Sequence, residues 1–155
     1  MYQLKTEREF DGAHFLTNYQ GKCENLHGHR WRVVVYIRQE SLGTAGTEKD
    51  MVIDFGRFKR TVREEVDRFD HMFLVEEGSL MPKTLECLRE EGFTLMMLPF
   101  RTTSENLARH FAERLIARGL PVSQVDVYET PMNCATYLVP ATAEVPSATT
   151  EEAAR

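Results

Sequence analysis

Hydrophobic and polar positions alternate most cleanly from Arg30 to Arg38. Trp31, Val33, Val35 and Ile37 fall on one face, and Arg32, Val34, Tyr36 and Arg38 on the other. A β-branched run with period two predicts a half-buried strand. Residues 2–16 read as an extended entry segment, with Tyr2, Leu4 and Thr6 alternating against Gln3, Lys5 and Glu7. Ser41 to Lys49, with Gly43 and Gly46 among small polar residues, reads as a loop. The period then changes. Phe55, Phe58, Val62, Val66 and Phe69 recur at steps of three and four, which predicts a helix from Gly56 to Phe69. A second helix is predicted over Ser104 to Arg118, with Leu107, Ala108, Phe111 and Leu115 inward. Thr102 and Glu105 have the spacing of a capping box, and Gly119-Leu120-Pro121 supplies the stop. Short strands follow over Val122 to Glu129 and Cys134 to Val139. Between the helices, Pro82 to Glu91 reads as a further short helix, followed by an apolar stretch from Phe93 to Phe100. The order β-β-α-(α)-α-β-β predicts an α+β domain, an antiparallel sheet covered by helices on one face.

Composition narrows the class further. At 155 residues the chain is expected to form one domain, residues 1–140, since the Ala-, Thr-, Glu- and Pro-rich tail 141–155 lacks large apolar residues and is expected to be disordered. Apolar residues make up 42% and charged residues 28%, which excludes collagen, coiled-coil and membrane classes. The 19 Lys and Arg against 24 Asp and Glu give −5, which argues against a nucleic-acid coat or an anionic membrane surface as partner. Cys23, Cys87 and Cys134 are too few, and odd in number, for a disulfide framework. With no apolar run at the N-terminus that could act as a signal peptide, the expected compartment is the cytoplasm.

The candidate chemistry concentrates in Cys23-Glu24-Asn25-Leu26-His27-Gly28-His29. Side chains at i and i+2 of an extended segment point the same way, so His27 and His29 can present imidazoles to one point. Neutral imidazole is a preferred zinc ligand, and His14 is the third candidate. Against this, an H-x-H pair also arises by chance on many strands. Cys23 can serve as a base or nucleophile, as a fourth ligand that closes a structural site, or as a small buried hydrophobe. Asp70-His71 is either an acid that orients a proton-transferring imidazole or the end of a helix where His71 complements the dipole. Glu129 is either an exposed strand-end charge or a buried anchor for a ligand edge with two N–H donors. Glu105 reads first as a helix-cap acid.

Taken in order, these pieces resemble the 6-pyruvoyltetrahydropterin synthase / 6-carboxytetrahydropterin synthase family over about residues 3 to 139. The motifs are A-H-F-L at 13–16, C-x-x-L-H-G-H at 23–29, I-D-F at 53–55 with Lys59, D-H at 70–71, T-S-E-N at 103–106 and E-T at 129–130. The resemblance implies a tunnel-fold (T-fold) subunit with a four-stranded antiparallel sheet, assembling into a homo-oligomeric barrel, tetramer or hexamer, with active sites between subunits. It implies zinc on His14, His27 and His29. It implies Cys23 as general base, Asp70 and His71 as a proton-relay pair, and Glu129, Thr103, Ser104 and Glu105 as the grip on the pterin.

Three residues between the cysteine and H-G-H look like the bacterial 6-carboxytetrahydropterin synthases, lyases acting on 7,8-dihydroneopterin triphosphate on the route to queuosine. Two features depart from that pattern: Glu76 to Leu98 is longer than the usual connection, and Glu24 sits beside the cysteine. Some relatives carry a glutamate in place of the cysteine and cleave the side chain as an aldolase would. The competing expectations are therefore a 6-pyruvoyl product, an aldolase product, or a non-catalytic module with a closed Cys-His₃ zinc site.

Overall fold

The computed structural model describes residues 1–140; the expected disordered tail, 141–155, lies outside the described residues. Two long strands, β1 (Tyr2–His14) and β2 (His27–Gln39), form an antiparallel ladder that is in register from Tyr2↔Gln39 to His14↔His27. The face expected from the alternation is the core face: Trp31, Val33, Val35 and Ile37 are all fully buried. Two helices cover it. α1 (Phe55–Val66), continued by a 3₁₀ turn over Asp67–Phe69, inserts Phe58, Val62, Val66 and Phe69, while Phe55 stays exposed at the helix start. The 14-residue α3 (Ser104–Ala117) buries Leu107, Ala108, Phe111, Ala112 and Leu115. Glu65 of α1 is buried, and it accepts from Arg114 and Arg118 at 3.2 Å each, which pins the two helices together. Such a carboxylate is tolerated in the core because its charge is paired.

The sheet differs from the expected four antiparallel strands. Among the described residues it has six, in the order β4-β3-β1-β2-β5-β6, and it is mixed. β3 (Met72–Glu76) and β4 (Leu95–Leu98) pair in parallel, and β3 lies parallel to the end of β1 through Gly12↔Met72 and Ala13↔Phe73. A parallel pair needs a long crossover, and α2 (Pro82–Glu90) provides it, with Pro82 in its first turn. That accounts for the length of the 76–98 segment. α2 buries no residue, so only α1 and α3 form the helical layer on the sheet. β5 (Val122–Thr130) and β6 (Asn133–Leu138) complete the opposite side by antiparallel pairing.

The cap of α3 (Ser104–Ala117) is one residue later than the capping-box spacing predicts. Thr103, not Thr102, accepts from the Asn106 N–H, at 3.3 Å. Thr102 is instead fully buried and turned toward the strands. Gly119, at φ 80°, takes the left-handed conformation that ends the helix, as expected.

Candidate metal centre and active site

The β1–β2 register sets the centre. His14 and His27 are directly opposed partners, and His29 lies opposite Gly12. His27, His29 and Trp31 alternate onto the core face, as do Phe10, Gly12 and His14 on β1. The three imidazoles meet with ring centroids 4.6 to 5.2 Å apart, and the Trp31 ring edge packs on His14 and His29 at 4.9 and 5.3 Å. Gly12 leaves room at the seam. A Cβ there would stand 3.2 Å from the Phe10 ring.

Each fixed tautomer follows from its partner. His14 Nδ1 lies 2.9 Å from the Thr102 carbonyl, and His27 Nδ1 lies 2.7 Å from the Asn25 carbonyl. A carbonyl can only accept, so both Nδ1 atoms carry the proton and both Nε2 atoms present lone pairs. Nε2 of His14, His27 and His29 is buried without a hydrogen-bond partner among the described residues. Burial holds the His29 imidazole below its ordinary pKa, which favours the neutral, ligating form.

Glu129 completes the group. Val125, Val127 and Glu129 alternate onto the core face of β5, and Glu129 Oε1 stands 3.4 Å from His14 Nε2 and 3.5 Å from His29 Nε2. The ligand atoms of all four residues lie within 4.8 Å of one another. An ionised carboxylate facing imidazole lone pairs sets acceptor against acceptor, an arrangement that a cation between them relieves. Three imidazole nitrogens and one carboxylate oxygen are a donor set that suits zinc and other divalent transition metals. The residues fit the metal.

Glu129 also lines a cavity of about 330 Å³ with Thr103, Ser104 and Glu105, so the four residues expected to hold a pterin share one wall. Cys134, on β6, lines it too. Cys23 sits half-buried in a 3₁₀ turn over Lys22–Glu24, and its carbonyl accepts from Leu16 N at 2.8 Å, closing the 16–23 loop. Among the described residues, its sulfur is not among the ligand atoms that converge with the three imidazoles.

Asp70 and His71 do pair, His71 Nδ1 to Asp70 Oδ2 at 3.0 Å. The turn is braced on both sides of one residue: Asp11 N–H donates to Asp70 Oδ1 at 2.9 Å, and His71 N–H donates to the Asp11 carbonyl at 2.6 Å. The Asp11 N–H is the main reason the Asp70 carboxyl stays below its ordinary pKa. His71 has φ 59°, uncommon for a residue with a Cβ, and its side chain is 79% exposed. It does not join the histidine cluster within this chain.

Sequence reasoning missed Thr102 as the residue that orients His14, and missed Glu129 as a neighbour of the metal ligands. No local signal marks Thr102, which lies 88 residues from His14. Glu129 could have been found by extending the Val125–Val127 alternation one step.

Known proteins resemble this chain over most of its length. The profile of the 6-pyruvoyl tetrahydropterin synthase family matches residues 3–139. The chain is 36% identical over 143 residues to the 6-carboxy-5,6,7,8-tetrahydropterin synthase of Haemophilus influenzae, covering 88% of this chain and 99% of that protein. It is 34% identical to the protein of the same description from Synechocystis, covering 74% and 97%. Among solved structures, an uncharacterized protein from Wolinella succinogenes superposes with a TM-score of 0.74 at 22% identity, covering 88% of this chain and 97% of that one. The 6-pyruvoyl tetrahydropterin synthase of Caenorhabditis elegans superposes at 0.63 and 26%, covering 90% and 96%.

Proposed function

Because the chain belongs to the 6-pyruvoyl tetrahydropterin synthase family, we propose that it converts 7,8-dihydroneopterin triphosphate to 6-carboxy-5,6,7,8-tetrahydropterin, releasing acetaldehyde and triphosphate. The step belongs to queuosine biosynthesis in the cytoplasm. The observation that carries this reading is the convergence of three unpartnered Nε2 atoms beside a cavity lined by Glu129, Thr103, Ser104 and Glu105. Among the described residues, no helix is long and apolar enough to cross a membrane, and all three cysteines are free.

His14, His27 and His29 hold zinc. When bound, the metal supplies Lewis acidity to the substrate's side-chain hydroxyls and makes the adjacent C–H more acidic. Cys23 accepts that proton, and His71, held by Asp70, delivers or takes one on the other side. Glu129 accepts from the pterin's amino group and neighbouring ring N–H, so the ring is fixed with its side chain toward the metal.

The exposed His71 needs a further surface to act in an enclosed site, and the sheet offers one. On its outer side β1 pairs with β3 only at Gly12 and Ala13, which leaves the edge of Tyr2–Asp11 without a strand partner among the described residues. Among the described residues, β6 pairs only with β5. Open edges of this length are templates for a second chain. The active site is completed between copies in a homo-oligomeric barrel.

Product analysis by mass spectrometry after incubation with 7,8-dihydroneopterin triphosphate tests the function. The expected products are 6-carboxytetrahydropterin and acetaldehyde. A 6-pyruvoyl product, or an aldolase product, overturns the assignment within the family, and no turnover by the metal-loaded protein overturns the enzyme reading.

A further inference from the structure

A second cavity, of about 740 Å³, lies between the edge of β1 and the first two turns of α1, and Lys5, Arg8, Lys59, Arg60 and Arg63 line it. The proposed function gives none of them a role. Glu7 is the one carboxylate in the lining, and Arg32 engages it at 3.5 Å. Arg8 is paired with Asp67 at 2.6 Å. Among the described residues, Lys5, Lys59, Arg60 and Arg63 have no ion-pair partner. A chain of net charge −5 has carboxylates to spare, yet it leaves four cations unpaired around one cavity. Like charges gathered this way repel one another unless an anion sits among them. A merely solvated helix face would not be met by further cations from a strand across a cavity.

The spacing says what kind of anion fits. Lys59 and Arg63 are one turn apart on α1 with Arg60 between them, so their stems stand about 5–6 Å apart in a short row. Lys5 and Arg8 are three residues apart on β1, about 10 Å along the strand. One phosphate cannot reach along both rows, whereas a chain of phosphates can. Arg60 and Arg63 offer planar forks that match phosphate oxygens, and Lys5 and Lys59 add point charges. The β1 edge has no strand partner from Tyr2 to Asp11 among the described residues, which leaves backbone N–H donors beside the cations. Arg8 stands six residues before His14, so about 20 Å of strand separates this cavity from the histidine cluster.

We propose that this cavity is a binding site for an oligophosphate, an anion of two or more linked phosphates. Two sources share that chemistry: the triphosphate arm of a substrate held by a neighbouring copy, and a free oligophosphate. The site stands apart from the function proposed above; only the choice between the sources rests on it.

The test is calorimetric titration of the full chain in phosphate-free buffer, with inorganic triphosphate and inorganic phosphate as probes. Wild type is expected to bind triphosphate at least about tenfold more tightly than phosphate. Arg60→Ala/Arg63→Ala should weaken triphosphate binding by about tenfold or more, the scale of one lost charge-assisted contact. Lys5→Ala, on the opposite wall, should weaken it in the same direction, while Arg109→Ala, outside the lining, should bind as wild type. Equal triphosphate affinity in wild type and Arg60→Ala/Arg63→Ala overturns the site, as does triphosphate that binds wild type no better than phosphate or not at all. Turnover then separates the sources. A KM for 7,8-dihydroneopterin triphosphate that rises in Arg60→Ala/Arg63→Ala, with biopterin affinity unchanged, assigns the site to the substrate's arm; an unchanged KM assigns it to a free oligophosphate. Absence of turnover in the wild type overturns the proposed function and leaves the anion site to be decided by the titration.

Discussion

The histidine cluster and the Asp70–His71 turn are built by opposite means. The cluster is held by a 13-residue strand ladder, a buried tryptophan and two carbonyls that fix tautomers, all within one chain. The turn is held by two hydrogen bonds to a single residue, Asp11, and leaves His71 exposed. One region is finished by folding; the other is aimed by folding and finished by something else. The difference separates the proposed metal site from the proposed proton-transfer pair, and it can be broken by substitution.

The largest effect is expected at the cluster. His27→Ala removes a ligand whose Nδ1 is already fixed, and metal affinity should fall by more than the 10–100-fold typical of losing an outer partner. Metal analysis after dialysis reads this out, and retained metal would mean that the cluster is not the binding site. On the other side of the comparison, Cys23→Ala and His71→Ala should each lower turnover by about 10²–10⁴-fold while metal content stays at the wild-type level. If either variant comes out metal-free, the two regions are not separate in role.

Glu129→Gln sharpens the comparison from inside the histidine cluster. It keeps the shape but sets an NH₂ against a ligand donor, so the affinity for a non-reactive pterin such as biopterin should weaken by about tenfold, since a lost buried hydrogen bond costs about 1–3 kcal/mol. An exposed strand-end acid would give equal affinities.

The smallest effect concerns stability at the turn. The Asp70 carboxyl is lowered in the folded protein, so its contribution is present above the unfolded value of about 3.9 and is lost as pH falls through the folded one. Thermal melts of wild type and Asp70→Asn should therefore differ near neutral pH and converge below about pH 4. A difference that grows on acidification would contradict the bracing role of the Asp11 N–H.

What the sequence revealed depended on whether the determining contacts were local. The β2 alternation and the stripes of α1 and α3 are visible because burial on one face repeats every few residues, and His27-Gly28-His29 is visible for the same reason. β3 escaped because Met72–Glu76 is a short apolar run with no period, and its parallel partners come from residues 12–13 and 95–98. The second threonine of Thr102-Thr103 turned out to be the cap, since capping depends on which residue turns out of the helix, and both have the same side chain. Glu129 meets the histidines only because β5 lies beside β2, a pairing set by the whole sheet.

The proposed function requires that His14, His27 and His29 form a metal site that excludes the Cys23 sulfur. X-ray absorption at the metal edge, on the protein carrying its native metal and no pterin, tests it most directly. The account predicts one zinc per chain in a shell of nitrogen and oxygen donors at about 2.0–2.2 Å. A sulfur scatterer at about 2.3 Å would contradict it and would return Cys23 from proton transfer to ligation.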